Sequence, residues 1–217
     1  MTSSHDHVHN HDQDQIRVAL SRRVRVLEEL LIEAGALQAE QVDAVIELYQ
    51  DELGPRHGAR LVARAWTDPA FKKHLLDDAT TIVREHGYDM EGATHRELPF
   101  LHLSVVENTL AVHNVIVCTL CSCYPLSLLG PQPSWYKSVE YRARMVYEPR
   151  AALREFGVKL PESQRVRVWD STAENRYMVL PMRPRGTEGM SAEELAALIT
   201  RDMLVGVATA GRATPPT

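Results

Sequence analysis

The chain has 217 residues, 44% of them hydrophobic and 24% charged, with a net charge of -5. Its size predicts one domain, or one domain with an arm, and its composition is that of a packed chain rather than a disordered one. The acidic balance argues against a general nucleic-acid binder, and no apolar run approaches the roughly 18 residues of a membrane span. The N-terminus lacks the basic and apolar regions of a secretory signal, so a cytoplasmic protein is expected.

Residues 1–15, MTSSHDHVHNHDQDQ, place His5, His7, His9 and His11 at every second position with nothing apolar to bury. They read as a disordered tail whose imidazoles capture divalent metal weakly at most. From 16 to 34 the pattern turns helical, with Val24, Leu27, Leu31 and Ala34 on one stripe and Gly35 as the stop. A second helix fits 38–53, ended by Gly54-Pro55, and GARLVARAW suggests a third. Asp68-Pro69 is an N-cap followed by proline at the first helical position, opening a helix that Gly87 closes. Residues 16–92 are thus expected to be a helical arm with further helices.

The character then changes. LHLSVV (101–106) and VHNVIVCTL (112–120) are rich in β-branched residues and read as strands. VRVWD (166–170) and RYMVLP (176–181) read as a strand pair joined by the polar turn STAEN. Between them Glu148-Pro149 opens a short helix ending at Gly157, and Ser191 with Glu194 forms a capping box for a last helix over about 192–203. The expected architecture is α+β: an N-terminal helical arm, then a layered domain of helices and strands over 93–207, then a loose tail over 208–217. The stripes of the arm need a surface to cover them, and a partner subunit is one answer.

All three cysteines, Cys118, Cys121 and Cys123, fall within VCTLCSCYP (117–125). A disulfide leaves one thiol odd and suits the cytosol badly, and an iron–sulfur cluster wants a fourth cysteine. Zinc wants a fourth ligand, for which His113 is the one nearby choice. A compact claw is the remaining arrangement, with three sulfurs on one face of an octahedral ion and deprotonated backbone amides completing it. Spacing alone leaves zinc and the claw both open.

The segment ENTLAVHNVIVCTLCSCYP closely resembles the metal-binding stretch of nitrile hydratase α subunits. So do GPRHGARLVARAWTDPAFKKHLL, WYKSVEYRARMVYEPR, EFGVKLP, VRVWDSTAENRYMVLPMRPRGTEG and LITRDMLVGV, in family order over about residues 17–207. The resemblance implies an enzyme that hydrates nitriles to amides at a non-haem iron(III) or non-corrin cobalt(III) centre, as a heterodimer or heterotetramer with a β subunit. It makes Cys118 an axial thiolate, Cys121 a sulfinic acid and Cys123 a sulfenic acid, with the backbone nitrogens of Ser122 and Cys123 completing the ligand set. Thr119 and Tyr124 stand where cobalt members carry them, so cobalt is preferred to iron. Catalytic roles fall to Ser122, whose hydroxyl reaches the bound ligand, and to Cys123, whose sulfenate oxygen is one of three candidate nucleophiles beside hydroxide and activated water. Two arginines of the β subunit are implied to hold the oxidised sulfurs, and a metallochaperone or activator is a further implied partner.

Other residues carry two readings each. His113 is a packed histidine or a catalytic one, and Glu107 a turn residue or a functional one. Asp170, Glu174 and Arg176 are an ion-paired hairpin turn or part of the site. Leu126 stands where the family usually has Trp, which alters the expected substrate pocket, and the Gln-bearing segment common before the ENT block is absent. Thiocyanate hydrolase, whose γ subunit carries the same claw, is the alternative enzyme, and a cobalt-carrying assembly protein is the non-enzymatic one.

Overall fold

A computed structural model describes residues 23–38 (apart from 25, 28 and 37), 56–88, 102–120 and 123–209. The chain forms two units, Met1–Leu48 and Tyr49–Thr217.

In the first unit the described positions of 23–33 are helical. The helix ends at Gly35, as its sequence predicts. The Gly35 N–H bonds to the Ile32 carbonyl and the Ala36 N–H to that of Leu31, which are the two closing bonds of a Schellman motif. Val24 and Leu27 of the predicted stripe are 63% and 58% exposed. The helix expected over 38–53 lies outside the described residues beyond its first position, and so does Gly54-Pro55.

The second unit opens with α1 (Arg56–Thr67), α2 (Pro69–Asp77) and α3 (Ala79–Glu85). The Asp68 carboxylate accepts from the Phe71 N–H at 2.9 Å, the predicted N-cap. The single helix expected from there to Gly87 is instead two. Asp78 leaves the helical region (φ -148°, ψ 72°), and its carboxylate caps the next helix, accepting from the Thr81 N–H at 3.1 Å and the Thr81 hydroxyl at 2.7 Å. A second good capping residue inside the run outweighs continuation.

Four strands follow: β1 (His102–Glu107), β2 (Val112–Val117), β3 (Arg165–Asp170) and β4 (Asn175–Leu180). β3 and β4 do not pair with each other, which corrects the hairpin expected from the sequence. β1 pairs with β4 and β2 with β3, both in parallel. The physical reason is burial. Val115, Ile116 and Val117 of β2 and Met178, Val179 and Leu180 of β4 are at most 1% exposed in consecutive positions, so both faces of these strands are covered, as parallel pairing requires. Helices supply the cover: α1, α2 and α3 on one side with α4 (Leu126–Leu129), and a 3₁₀ turn (Ser134–Lys137), α5 (Val139–Tyr147) and α6 (Pro149–Glu155) elsewhere.

The capping box at Ser191 is complete, with the Ser191 N–H on Glu194 at 2.7 Å and the Glu194 N–H on the Ser191 hydroxyl at 3.2 Å. It starts α7 (Ala192–Ala197), and Thr200 caps a separate α8 (Arg201–Val205) where one helix was expected. α8 ends at Gly206, φ 93°, where a Cβ would lie 2.1 Å from the Asn114 carbonyl oxygen, so only glycine lets α8 close on β2. No helix among the described residues is long and apolar enough to cross a membrane.

Candidate functional site

Parallel register builds the site. Val117, the last residue of β2, lies beside Asp170, the last of β3. Both strands therefore finish together, and Cys118-Thr119 leave one while Ser171 leaves the other, its N–H on the Val117 carbonyl at 2.7 Å. The Asp170 carboxylate reaches across to accept from the Thr119 N–H at 2.9 Å and from the Thr119 hydroxyl. Arg142 of α5 donates to the Thr119 carbonyl at 3.5 Å. Cys118 is fully buried and Cys123 is 8% exposed. On the far side of the loop the fully buried Tyr136 donates its hydroxyl to the Cys123 carbonyl at 3.0 Å, while Tyr141 donates to that of Ile116 at 2.6 Å. The loop from 119 to 122 is thus anchored at each end before any ligand is considered.

Cys121 and Ser122 lie outside the described residues, and among the described residues no three His, Cys, Asp or Glu side chains form a ligand set. The donors that are described suit a thiophilic ion: two buried thiols at the ends of a short anchored loop. The Tyr124 hydroxyl, the Ser127 and Ser171 hydroxyls and Arg176 Nη1 are buried without hydrogen-bond partners. Such groups are uncommon inside a fold, and two of them, Tyr124 and Ser127, lie within four residues of Cys123 in the chain. Burial raises the Tyr124, Tyr136 and Tyr141 phenols well above their ordinary range, so all three stay protonated donors at neutral pH. Tyr124 packs edge-on against Tyr136, ring centroids 5.1 Å apart.

The remaining candidates separate cleanly. Asp170 is not in a hairpin and forms no ion pair among the described residues; it clamps Thr119. Glu174 is exposed and forms no ion pair among the described residues, and Arg176 is half-buried. Glu107 pairs with Lys72 of α2 at the end of β1, a partly exposed ion pair of modest energetic weight. Leu126 is half-buried and packs against the core as the first residue of α4. Tyr136, Tyr141 and Arg142 are the residues that sequence reasoning left without a role. Nothing in WYKSVEYRAR distinguishes an anchoring tyrosine from a core one.

His113 is a satisfied interior histidine. Its Nε2–H donates to the Gly206 carbonyl at 2.7 Å and its Nδ1 accepts from the Asn108 amide at 3.4 Å, the neutral tautomer. Burial lowers its pKa from the ordinary 6.5. As pH falls through 6.5 the unfolded chain takes up this proton first, so His113 contributes fully above that pH and its contribution is lost below it, by at most about 1.4 kcal/mol per pH unit. The fall in Tm between about pH 7.5 and 5.5 is therefore expected to be smaller in His113→Gln than in the parent. Equal falls in both would show that His113 does not carry the effect.

An α+β protein with a thiol-bearing loop at the carboxyl ends of parallel strands is a narrow class. The family described as nitrile hydratase, alpha chain, matches residues 18–208, and the chain belongs to that family. It is 50% identical over 189 residues to nitrile hydratase subunit alpha of a Rhodococcus species, covering 87% of this chain and 92% of the relative. It is 48% identical over 193 residues to the cobalt-containing nitrile hydratase subunit alpha of Pseudonocardia thermophila, covering 88% and 91%. A solved double mutant of the Fe-type nitrile hydratase from Comamonas testosteroni Ni1 superposes with a TM-score of 0.74 at 42% identity, covering 92% of this chain and 96% of the other. The thiocyanate hydrolase subunit gamma of Thiobacillus thioparus is also related, at 41% identity over 186 residues, covering 84% and 76%. Both cobalt and iron thus occur among the relatives. Their names as subunits imply that this chain works with a partner subunit.

Proposed function

We propose that this chain is the metal-bearing α subunit of a nitrile hydratase, converting nitriles to amides with a β subunit at a non-corrin cobalt(III) centre. The observation that carries the reading is the anchored CTLCSCYP loop, with Cys118 and Cys123 buried at its two ends, in a chain of this family. Cys118, Cys121 and Cys123 are the sulfur ligands, and the backbone nitrogens of Ser122 and Cys123 complete the set. Cys121 is carried as sulfinic and Cys123 as sulfenic acid, rungs of the ordinary oxidation ladder. Cobalt rather than iron rests on Thr119 and Tyr124 and on the cobalt-containing relatives.

When bound, the ion supplies Lewis acidity toward the nitrile. The chain's own residues do the rest. Asp170 holds Thr119 and Tyr136 holds the Cys123 carbonyl, so the residues on either side of Cys121 and Ser122 are positioned in advance of substrate. The buried aromatic wall of Tyr124, Tyr136 and Tyr141 keeps water from the inner side of the loop. The Tyr124 phenol, protonated and unpartnered, is a donor one residue from Cys123. The Ser122 hydroxyl is assigned to hydrogen-bond the substrate. Leu126, smaller than the family's usual Trp, gives the pocket a different shape and shifts the range of nitriles accepted.

The test uses the complex expressed with cobalt and its β subunit. Elemental analysis is expected to find about one cobalt per α chain, from a single claw. Peptide mapping is expected to find two added oxygens on Cys121, one on Cys123 and none on Cys118. Active material with three plain thiols, or preferential uptake of iron or zinc while cobalt is present, would overturn the assignment. Turnover of thiocyanate but not of a simple nitrile would select the thiocyanate hydrolase reading, which the lower 41% identity to that subunit disfavours.

A further inference from the structure

At the end of β2 away from the thiols lies a cavity of about 320 Å³, with Asn108 and His113 in its wall. His113 is about 16 Å of extended strand from Cys118, so this is a separate place. The charged lining is of one sign: Lys159, Arg183 and Arg185, with no Asp or Glu. Arg183 meets only neutral acceptors, the Thr187 hydroxyl at 3.0 Å, the Trp66 carbonyl at 3.1 Å and the Thr187 carbonyl. Arg150, whose charge is felt at His113, donates likewise only to the carbonyls of Leu160, Pro161 and Gln164. Lys159 and Arg185 make no hydrogen bond or ion pair among the described residues.

Three cations lining one hollow with a fourth, Arg150, behind its wall, none of them ion-paired with a carboxylate among the described residues, are not what a chain of net charge -5 produces by scatter. Carbonyl dipoles hold the two arginines still, so the positive field is organised in advance of any ligand. Leu160, Pro181, Met182 and Pro184 add an apolar part to the wall, beside the neutral polar Asn108, His113 and Gln164. The volume is at the lower end for small-molecule sites, about 300–1,000 Å³, and exceeds what a bare oxyanion fills. We propose that this cavity binds a small organic anion, a carboxylate or phosphate monoester. Its oxyanion sits on Lys159, Arg183 and Arg185, and its apolar body lies against Leu160 and Met182.

The test is calorimetric titration of the complex with benzoate, phenyl phosphate, inorganic phosphate and, as neutral counterpart, benzyl alcohol. Saturable binding of benzoate or phenyl phosphate is expected with Kd of about 1 mM or tighter, and the tighter of the two identifies the headgroup. Inorganic phosphate should bind about tenfold more weakly, benzyl alcohol not at all, and added salt should weaken the anions. The double variant Lys159→Glu/Arg185→Glu should lose this binding, and Arg185→Lys should keep it. Both side chains are exposed and unpaired, so thermal unfolding and nitrile turnover without anion should match the parent. Absence of saturable anion binding to the complex, equal binding of benzyl alcohol, or undiminished binding by the charge-reversed variant would overturn the proposal.

Discussion

Replacing Asp170 with alanine is expected to lower metal occupancy and nitrile turnover together, by about 10- to 100-fold, the usual cost of losing a group that orients a ligand. The carboxylate ties the start of the loop to the neighbouring strand through both the backbone and the hydroxyl of Thr119. Without it Cys118 keeps its buried place just past the end of β2, but the chain leaving it is free to splay. Asp170 is exposed and pairs with no cation among the described residues, so global stability should change little. Asp170→Asn retains an acceptor for the Thr119 N–H and should fall between parent and alanine. Metal content by elemental analysis and steady-state hydration rates on the same preparations give the readout. Full occupancy and full turnover in Asp170→Ala would remove Asp170 from the site.

Separated from its β subunit, the chain is expected to hydrate nitriles at no more than about one-hundredth of the rate of the complex, the order of loss that misplaced groups produce. Leu120 in the loop is 86% exposed, and Tyr147 at 86% and Val139 at 68% exposed line a groove of about 380 Å³ that also includes Thr119 and Arg142. An apolar surface next to a site whose sulfur-holding arginines are assigned to another subunit is the natural seat for that subunit. Deleting residues 1–53 should weaken co-purification with the β subunit, because Val24 and Leu27 present further exposed apolar surface. Deleting residues 1–15 should alter metal loading at most. A chain that matches the complex in turnover when alone would refute the dependence.

Much of this was legible in the residues. The N-cap at Asp68, the capping box at Ser191 and the stops at Gly35, Gly87 and Gly157 are local chemistry, and each is found where the sequence places it. The strands were found to within one residue, except that β2, expected over 112–120, ends at Val117 where the chain leaves the sheet toward the thiols, because β-branched runs are local as well. Their partners were not, because VRVWD and RYMVLP lie only a turn apart and the alternation within them does not say which neighbour each will choose. The hairpin expectation also kept open the reading of Asp170 as a turn charge beside its reading as part of the site; it is a clamp on Thr119. The grouping of thiols was plain from spacing, but the aromatic wall behind them was not. Tyr136 and Tyr141 reach the loop through carbonyls of residues 123 and 116, and carbonyl acceptors leave no mark in a sequence.

The parallel register sets a timetable for synthesis. Thr119 and Asp170 are 51 residues apart, so at ordinary elongation rates the thiols leave the ribosome about 3–10 s before the residue that clamps their loop. During that interval the cysteines are an unshaped soft-ligand cluster, and competing divalent ions such as zinc have their best chance to enter. The correct ion is therefore best delivered after β3 has docked, when the loop has its geometry and Cys118 its cover. A protein that escorts the metal would do most of its service in that narrow window by keeping the nascent sulfurs empty.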